Sequence, residues 1–101
     1  MQFASEVREI KFEYCSKIGT ETIVKLAENC AKLKKLSIIR NFNEKSAKID
    51  DNCIQVLSEC CPDLRSLQIV YSRKFDGNIC QFLGSGNLSK LVFLDLSYCP
   101  I

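Results

Sequence analysis

The stretch VREIKFEYC occupies residues 7–15. Its apolar residues Val7, Ile10 and Phe12 take the first, fourth and sixth places, and Cys15 closes it at the ninth. The same frame returns as LKKLSIIRN at 33–41, LRSLQIVYS at 64–72 and LVFLDLSYC at 91–99, so successive copies begin 26, 31 and 27 residues apart. Recurrence at periods of this size is the signature of a repeated structural unit. Within the first copy, Ile10, Lys11, Phe12 and Glu13 alternate apolar and polar, which predicts a short strand. Beyond Cys15 and Ile18, the residues Ile23, Leu26, Ala27 and Cys30 follow the i, i+3, i+4, i+7 spacing of a helix, with Thr20 placed to cap it.

The second period repeats this plan with an insertion, FNEKSAK at 42–48. Ile49 then stands where Ile18 stood, Asp50 or Asp51 can cap, and Ile54, Leu57 and Cys61 form the apolar stripe before Pro62 stops the helix. In the third period Phe75 takes the Ile18 place, Asp76 the capping region, and Cys80 and Leu83 the helix core, with Gly84-Ser85-Gly86 ending it early. One strand with one short helix cannot bury its own apolar side. Stacked copies can, because each aliphatic layer lies on the next.

Composition narrows the function classes. The chain has 101 residues, 47% hydrophobic and 26% charged, which suits a folded domain rather than a disordered tail. A formal net charge of +2 points to neither nucleic acid nor an anionic membrane as partner. No apolar run is long enough to span a bilayer, and the N-terminus carries no basic-then-apolar secretory signal. The seven cysteines are odd in number and include no C-x-x-C pair, so reduced thiols in the cytoplasm or nucleus are expected. Histidine is absent, which removes Ser-His-Asp and Cys-His catalysis and the usual zinc ligand sets. No glycine-rich phosphate loop occurs. The chain therefore reads as no enzyme, with no cofactor, no metal and no small-molecule substrate.

The run L-x-x-L-x-L-x-x-C-x-x-I-x-x-x-x-I-x-x-L-A-x-x-C-x-x-L is the pattern of the cysteine-containing leucine-rich repeat. Residues Val7 to Leu33 resemble it nearly residue by residue, with Val7 and Phe12 as apolar variants, and SECCPDLRSLQI at 58–69 resembles its C-P-x-L-x-x-L-x-L segment. Departures are the insertion at 42–48, Asn41 and Ser72 in the strand-end cysteine place, and an extra residue near Asn87. The resemblance implies a short right-handed α/β leucine-rich-repeat solenoid of about four strands and three helices. It also implies one array over 1–101, incomplete at one or both ends and without an F-box. Repeats of this subtype form the substrate-holding half of F-box/LRR proteins, the receptors of SCF-type ubiquitin ligases. The function implied is a protein-binding scaffold in ubiquitin-dependent degradation; the alternative is an assembly adaptor with no ligase role.

In this frame, strand places three, five, seven and eight face the open side. They form the columns Glu9, Lys35, Ser66, Phe93; Lys11, Ser37, Gln68, Asp95; Glu13, Ile39, Val70, Ser97; and Tyr14, Arg40, Tyr71, Tyr98. Tyrosine and arginine are enriched among interface anchors. Tyr14, Ile39, Arg40, Gln68, Val70, Tyr71, Phe93, Asp95 and Tyr98 are thus the candidate partner-binding residues, the partner being a protein. The competing reading gives the tyrosines a packing role at the strand exits. The cations between Lys32 and Lys48 suggest an acidic partner less than they suggest a solvated surface, since they fall on different faces. Cys61 falls on the helix-core cysteine place with Cys60 beside it, which argues for structure over redox work.

Overall fold

The computed structural model describes residues 6–14, 17–40, 49–70 and 88–96. Strand β1 (Glu9–Glu13) is followed by helix α1 (Thr20–Asn29), β2 (Lys35–Ile39), α2 (Asp51–Cys60), β3 (Ser66–Val70) and β4 (Phe93–Asp95). The strands form one parallel sheet in the order β1-β2-β3-β4. Ile10, Leu36, Leu67 and Leu94 stand side by side, as do Phe12, Ile38 and Ile69 one step along.

That register divides the sheet into two faces. Leu36, Ile38, Leu67 and Ile69 are buried and share one apolar core with Ile23 and Ala27 of α1 and Cys53, Ile54 and Leu57 of α2. Leu33, Ile49 and Leu64 close that core at the ends of the elements. Lys35, Ser37, Ile39, Gln68 and Val70 point the other way and are exposed or half-buried.

The expected solenoid with three helices is corrected by these observations. The molecule is a small compact α/β unit of four parallel strands with two helices among the described residues. The third expected helix, around Asp76 to Leu83, lies outside the described residues. The physical reason for the compact shape is the number of units. Four strands spaced about 4.8 Å apart span only about 15 Å, whereas the unit measures 34 × 29 × 19 Å. The stacking direction is too short for a superhelix to develop.

Each step to the next strand repeats one set of backbone bonds. Arg8 O accepts from the amides of Lys34 and Lys35 at 2.8 and 3.0 Å, Lys34 O from Arg65 and Ser66 at 2.8 and 3.1 Å, and Arg65 O from Val92 and Phe93 at 2.8 and 3.1 Å. Just before each entry, the amides of Leu33, Leu64 and Leu91 donate to Cys30 O, Cys61 O and Leu88 O at 3.0, 3.2 and 3.1 Å. Leu88, which is buried, therefore fills in the third period the place that Cys30 and Cys61 fill in the first two.

The helices are joined at both ends. Gly19 is the N-cap of α1, so Thr20 is its first residue and not its cap. The Thr20 hydroxyl instead donates to Asp50 Oδ1 at 3.1 Å and accepts from the Asp50 amide at 2.9 Å. Asp50 caps α2 through the Asn52 amide at 3.1 Å. At the other end, the buried Cys61 thiol donates toward Ala27 O and Cys30 O at 3.7 and 3.4 Å, and Asn29 Nδ2 donates to Lys25 O at 2.7 Å. Carbonyls that the end of α1 leaves without helical partners are satisfied by the following unit. Burial pushes the Cys61 thiol up to about 12, with the neighbouring Cys60 and Cys30 adding to the effect. Burial also raises the Cys30 thiol.

Candidate partner-binding face

The outward face of the sheet is built by alternation alone. Once Leu36, Ile38, Leu67 and Ile69 enter the core, their neighbours along each strand must face outward. The strand pairing sets Glu9, Lys35, Ser66 and Phe93 in one row; Lys11, Ser37, Gln68 and Asp95 in the next; and Glu13, Ile39 and Val70 in a third.

The middle row is a connected polar ladder. Ser37 Oγ donates to Gln68 Oε1 at 2.7 Å, and Gln68 Nε2 donates to Asp95 Oδ2 at 3.0 Å. At its β1 end Lys11 pairs with Glu13 of the same strand at 2.8 Å. That hydrogen bond raises the Lys11 ammonium above its usual range, with the Glu13 charge second. Ile39 and Val70 lie on one flank of this ladder as half-buried apolar neighbours, and Phe93, half exposed, lies on the other. The face thus combines oriented donors and acceptors with flanking apolar surface, the mixture found at protein interfaces.

Among the sequence candidates, the structure brings Ile39, Gln68, Val70, Phe93 and Asp95 onto this face. Tyr14 is 63% exposed at the exit of β1, where its backbone has φ 58°. Its amide still donates to Ile39 O at 2.7 Å, so pairing continues one residue past the strand. Arg40 departs from expectation: it is only 4% exposed and belongs to the buried residues. Arg40 follows Leu36 and Ile38 at steps of two, so the alternation continued past β2 sets it on their inward side; the expectation had set the adjacent Ile39 and Arg40 both outward. Tyr71 and Tyr98 lie outside the described residues. Of the basic stretch, Lys35 sits on the sheet face, Lys32 is exposed beside Glu6 at 3.1 Å and Arg40 is buried, so these cations do not make one patch.

Sequence reasoning missed a second feature at the rim. The residues immediately before Val7, Leu33, Leu64 and Leu91 are Glu6, Lys32, Asp63 and Lys90. Their charges alternate, and the structure pairs Glu6 with Lys32 at 3.1 Å and Asp63 with Lys90 at 2.6 Å. The bond from Lys90 lowers the Asp63 carboxyl below its usual range, and the Lys90 charge adds to this. The signal was present once the repeats were aligned, at a place outside the apolar frame.

Among the described residues no three His, Cys, Asp or Glu side chains are grouped to hold a metal, and no helix is long and apolar enough to cross a membrane. What the fold and face define is a parallel α/β unit with one sheet face packed under helices and the other open. No family model and no curated protein matches the chain. Among solved structures, the chain is similar to one in the crystal structure of the Rad7 and Elc1 complex in yeast, with a TM-score of 0.73 and 18% identity. The likeness covers 92% of this chain and 22% of that one, so this chain spans about a fifth of the length of the protein it matches. At that identity the likeness establishes the shared fold.

Proposed function

We propose that this chain is a protein-binding segment that holds a partner on the open face of its sheet, in the manner of the substrate-recognition region of an F-box/LRR receptor of an SCF-type ubiquitin ligase. The observation that carries the reading is the outward face itself. The Ser37–Gln68–Asp95 ladder fixes polar groups in place between apolar flanks at Ile39, Val70 and Phe93. Oriented side chains lose little freedom on binding, which favours recognition. Two further points support it. The motif from Val7 to Leu33 resembles the repeats of those receptors. The fold is shared with a protein solved as a two-protein complex. On this reading the chain performs no chemistry of its own and acts in the cytoplasm or nucleus.

The test begins with partners captured from cells by the tagged native protein. Val70→Arg places a charge in the apolar flank, and Gln55→Ala changes an exposed position on α2. Partner recovery should fall at least about tenfold with Val70→Arg, as for loss of a central interface contact, and stay unchanged with Gln55→Ala. The ligase reading further requires that depletion of the protein lengthens the partner's lifetime. A partner whose lifetime is unaffected would leave an assembly adaptor. Recovery unchanged by Val70→Arg in a folded protein would remove the face from the account.

A further inference from the structure

The residues that open each step from strand to strand form a charged row of their own. Arg8, Lys34 and Arg65 occupy equivalent places, each carbonyl accepting the corresponding two amides of the next unit. The register sets them side by side, one residue before Glu9, Lys35 and Ser66. Neighbouring strands stand about 4.8 Å apart, so three cationic residues fall along a line of about 10 Å. Arg8 and Arg65 are exposed and Lys34 is half-buried.

Like charges opposite one another on neighbouring strands destabilise a sheet, and the rows on either side avoid them. The rim row Glu6, Lys32, Asp63, Lys90 alternates in sign and pairs within itself. In the row ahead, Glu9 stands beside Lys35. The row Arg8, Lys34, Arg65 holds a single sign, and among the described residues no carboxylate forms an ion pair with any of the three. Asp63 feels the charges of Lys34 and Arg65, but its hydrogen bond and its strongest charge contact go to Lys90. The fold thus keeps a repulsion that its own ion pairs do not relieve, and a ligand of opposite sign relieves it.

The acids around the row decide the size of that ligand. Glu6 and Asp63 lie behind it and Glu9 in front, so only a short anionic stretch fits. A nucleic-acid backbone carries charge at every step and meets these acids on both sides. An extended peptide advances about 3.3 Å per residue and turns alternate side chains to one side, so about four residues carrying two acids cover the row. Arginine also presents paired donors that match a carboxylate.

We propose that Arg8, Lys34 and Arg65 bind a short acidic segment of a protein partner, laid across the strand entries. The row is assembled from three units and lies apart from the Ser37–Gln68–Asp95 ladder, so the proposal goes beyond the open-face reading and fails or stands separately from it.

Fluorescence anisotropy of a labelled eight-residue peptide, glutamate at alternate positions, tests the proposal against the full chain. A peptide with glutamine in place of glutamate is the control, and circular dichroism checks that each variant is folded. The glutamate peptide should bind at least about tenfold more tightly than the glutamine peptide, and added salt should weaken it. Arg8→Glu and Arg65→Glu should each weaken binding at least about tenfold. Lys25→Glu makes the same change of charge at an exposed position on α1 and should leave binding unchanged. Val70→Arg, which tests the open face, should also leave it unchanged. A native chain that does not separate the two peptides overturns the proposal, as does a loss from Lys25→Glu equal to that from Arg65→Glu. A single-stranded oligonucleotide of equal charge that binds the same row more tightly overturns the assignment to a protein segment.

Discussion

Leu36, Leu67 and Leu94 provide a comparison internal to one layer of the core. They are neighbours in register, yet they are 1%, 0% and 40% exposed. Replacing a fully enclosed leucine by alanine costs about 2–5 kcal/mol, the sum of lost transfer energy and a cavity. Leu67 is enclosed between layers on both sides, so Leu67→Ala should fall inside that range. Leu94 keeps two-fifths of its surface in water already, and a hole made there opens to solvent instead of remaining empty. Leu94→Ala should therefore cost about 1–2 kcal/mol, less than the enclosed case by the missing cavity and the smaller transfer term. A domain of this size has roughly 5–15 kcal/mol in total, so the first change removes a large share. Each kcal/mol shifts the midpoint of a small domain by about 4–8 °C, which separates the two variants in a thermal melt. Urea unfolding of the same proteins should move the midpoint while leaving the slope unchanged, since the surface exposed on unfolding is nearly the same. Equal costs for the two substitutions, or a Leu67→Ala protein as stable as the parent, would refute the layer arrangement.

Two other outcomes follow from the ends of the helices and from the rim. Cys61→Ala removes a weak donor from Ala27 O and Cys30 O and should cost about 1 kcal/mol, since Cys30 O keeps the Leu33 amide; chemical denaturation reads it. Because the folded thiol is held up at about 12 against an ordinary 9.0, its contribution is complete below pH 9 and is lost as pH rises toward 12; alkylation of Cys61 in the folded protein at neutral pH should be far slower than in urea. Asp63 is the opposite case: its carboxyl is depressed by Lys90, so the pair stabilises above the ordinary carboxylate range and is lost as pH falls through the lowered value. Asp63→Asn should erase that acid dependence with little effect at neutral pH, since the pair is exposed and screened by salt.

The strand frame was legible in the sequence because burial imposes a period of two on one face. Ile10, Leu36, Leu67 and Leu94 stand in register as their spacing implied. The apolar stripes of α1 and α2 were legible for the same reason. What the sequence concealed is contact across units. Thr20 reads as a local cap, yet its hydroxyl serves Asp50, 30 residues away. Cys61 reads as a small core residue, yet its thiol closes the end of α1. Periodicity locates a residue within its own unit and carries no information about partners in the next. Arg40 was misplaced because the frame set two adjacent residues, Ile39 and Arg40, on the same open side, where a period of two puts Arg40 inward with Leu36 and Ile38. The compact shape was missed because a repeat pattern fixes the unit, while the number of stacked units fixes the form.

The proposed function sets a protein partner on the outward sheet face. A photo-crosslinking amino acid at Gln68, in the middle of the polar ladder, and another at Gln55, exposed on α2, test it within cells. Illumination should join a discrete protein partner to the chain from Gln68 and not from Gln55. Adducts formed from Gln55 alone, or the same adducts in equal yield from both positions, would contradict it.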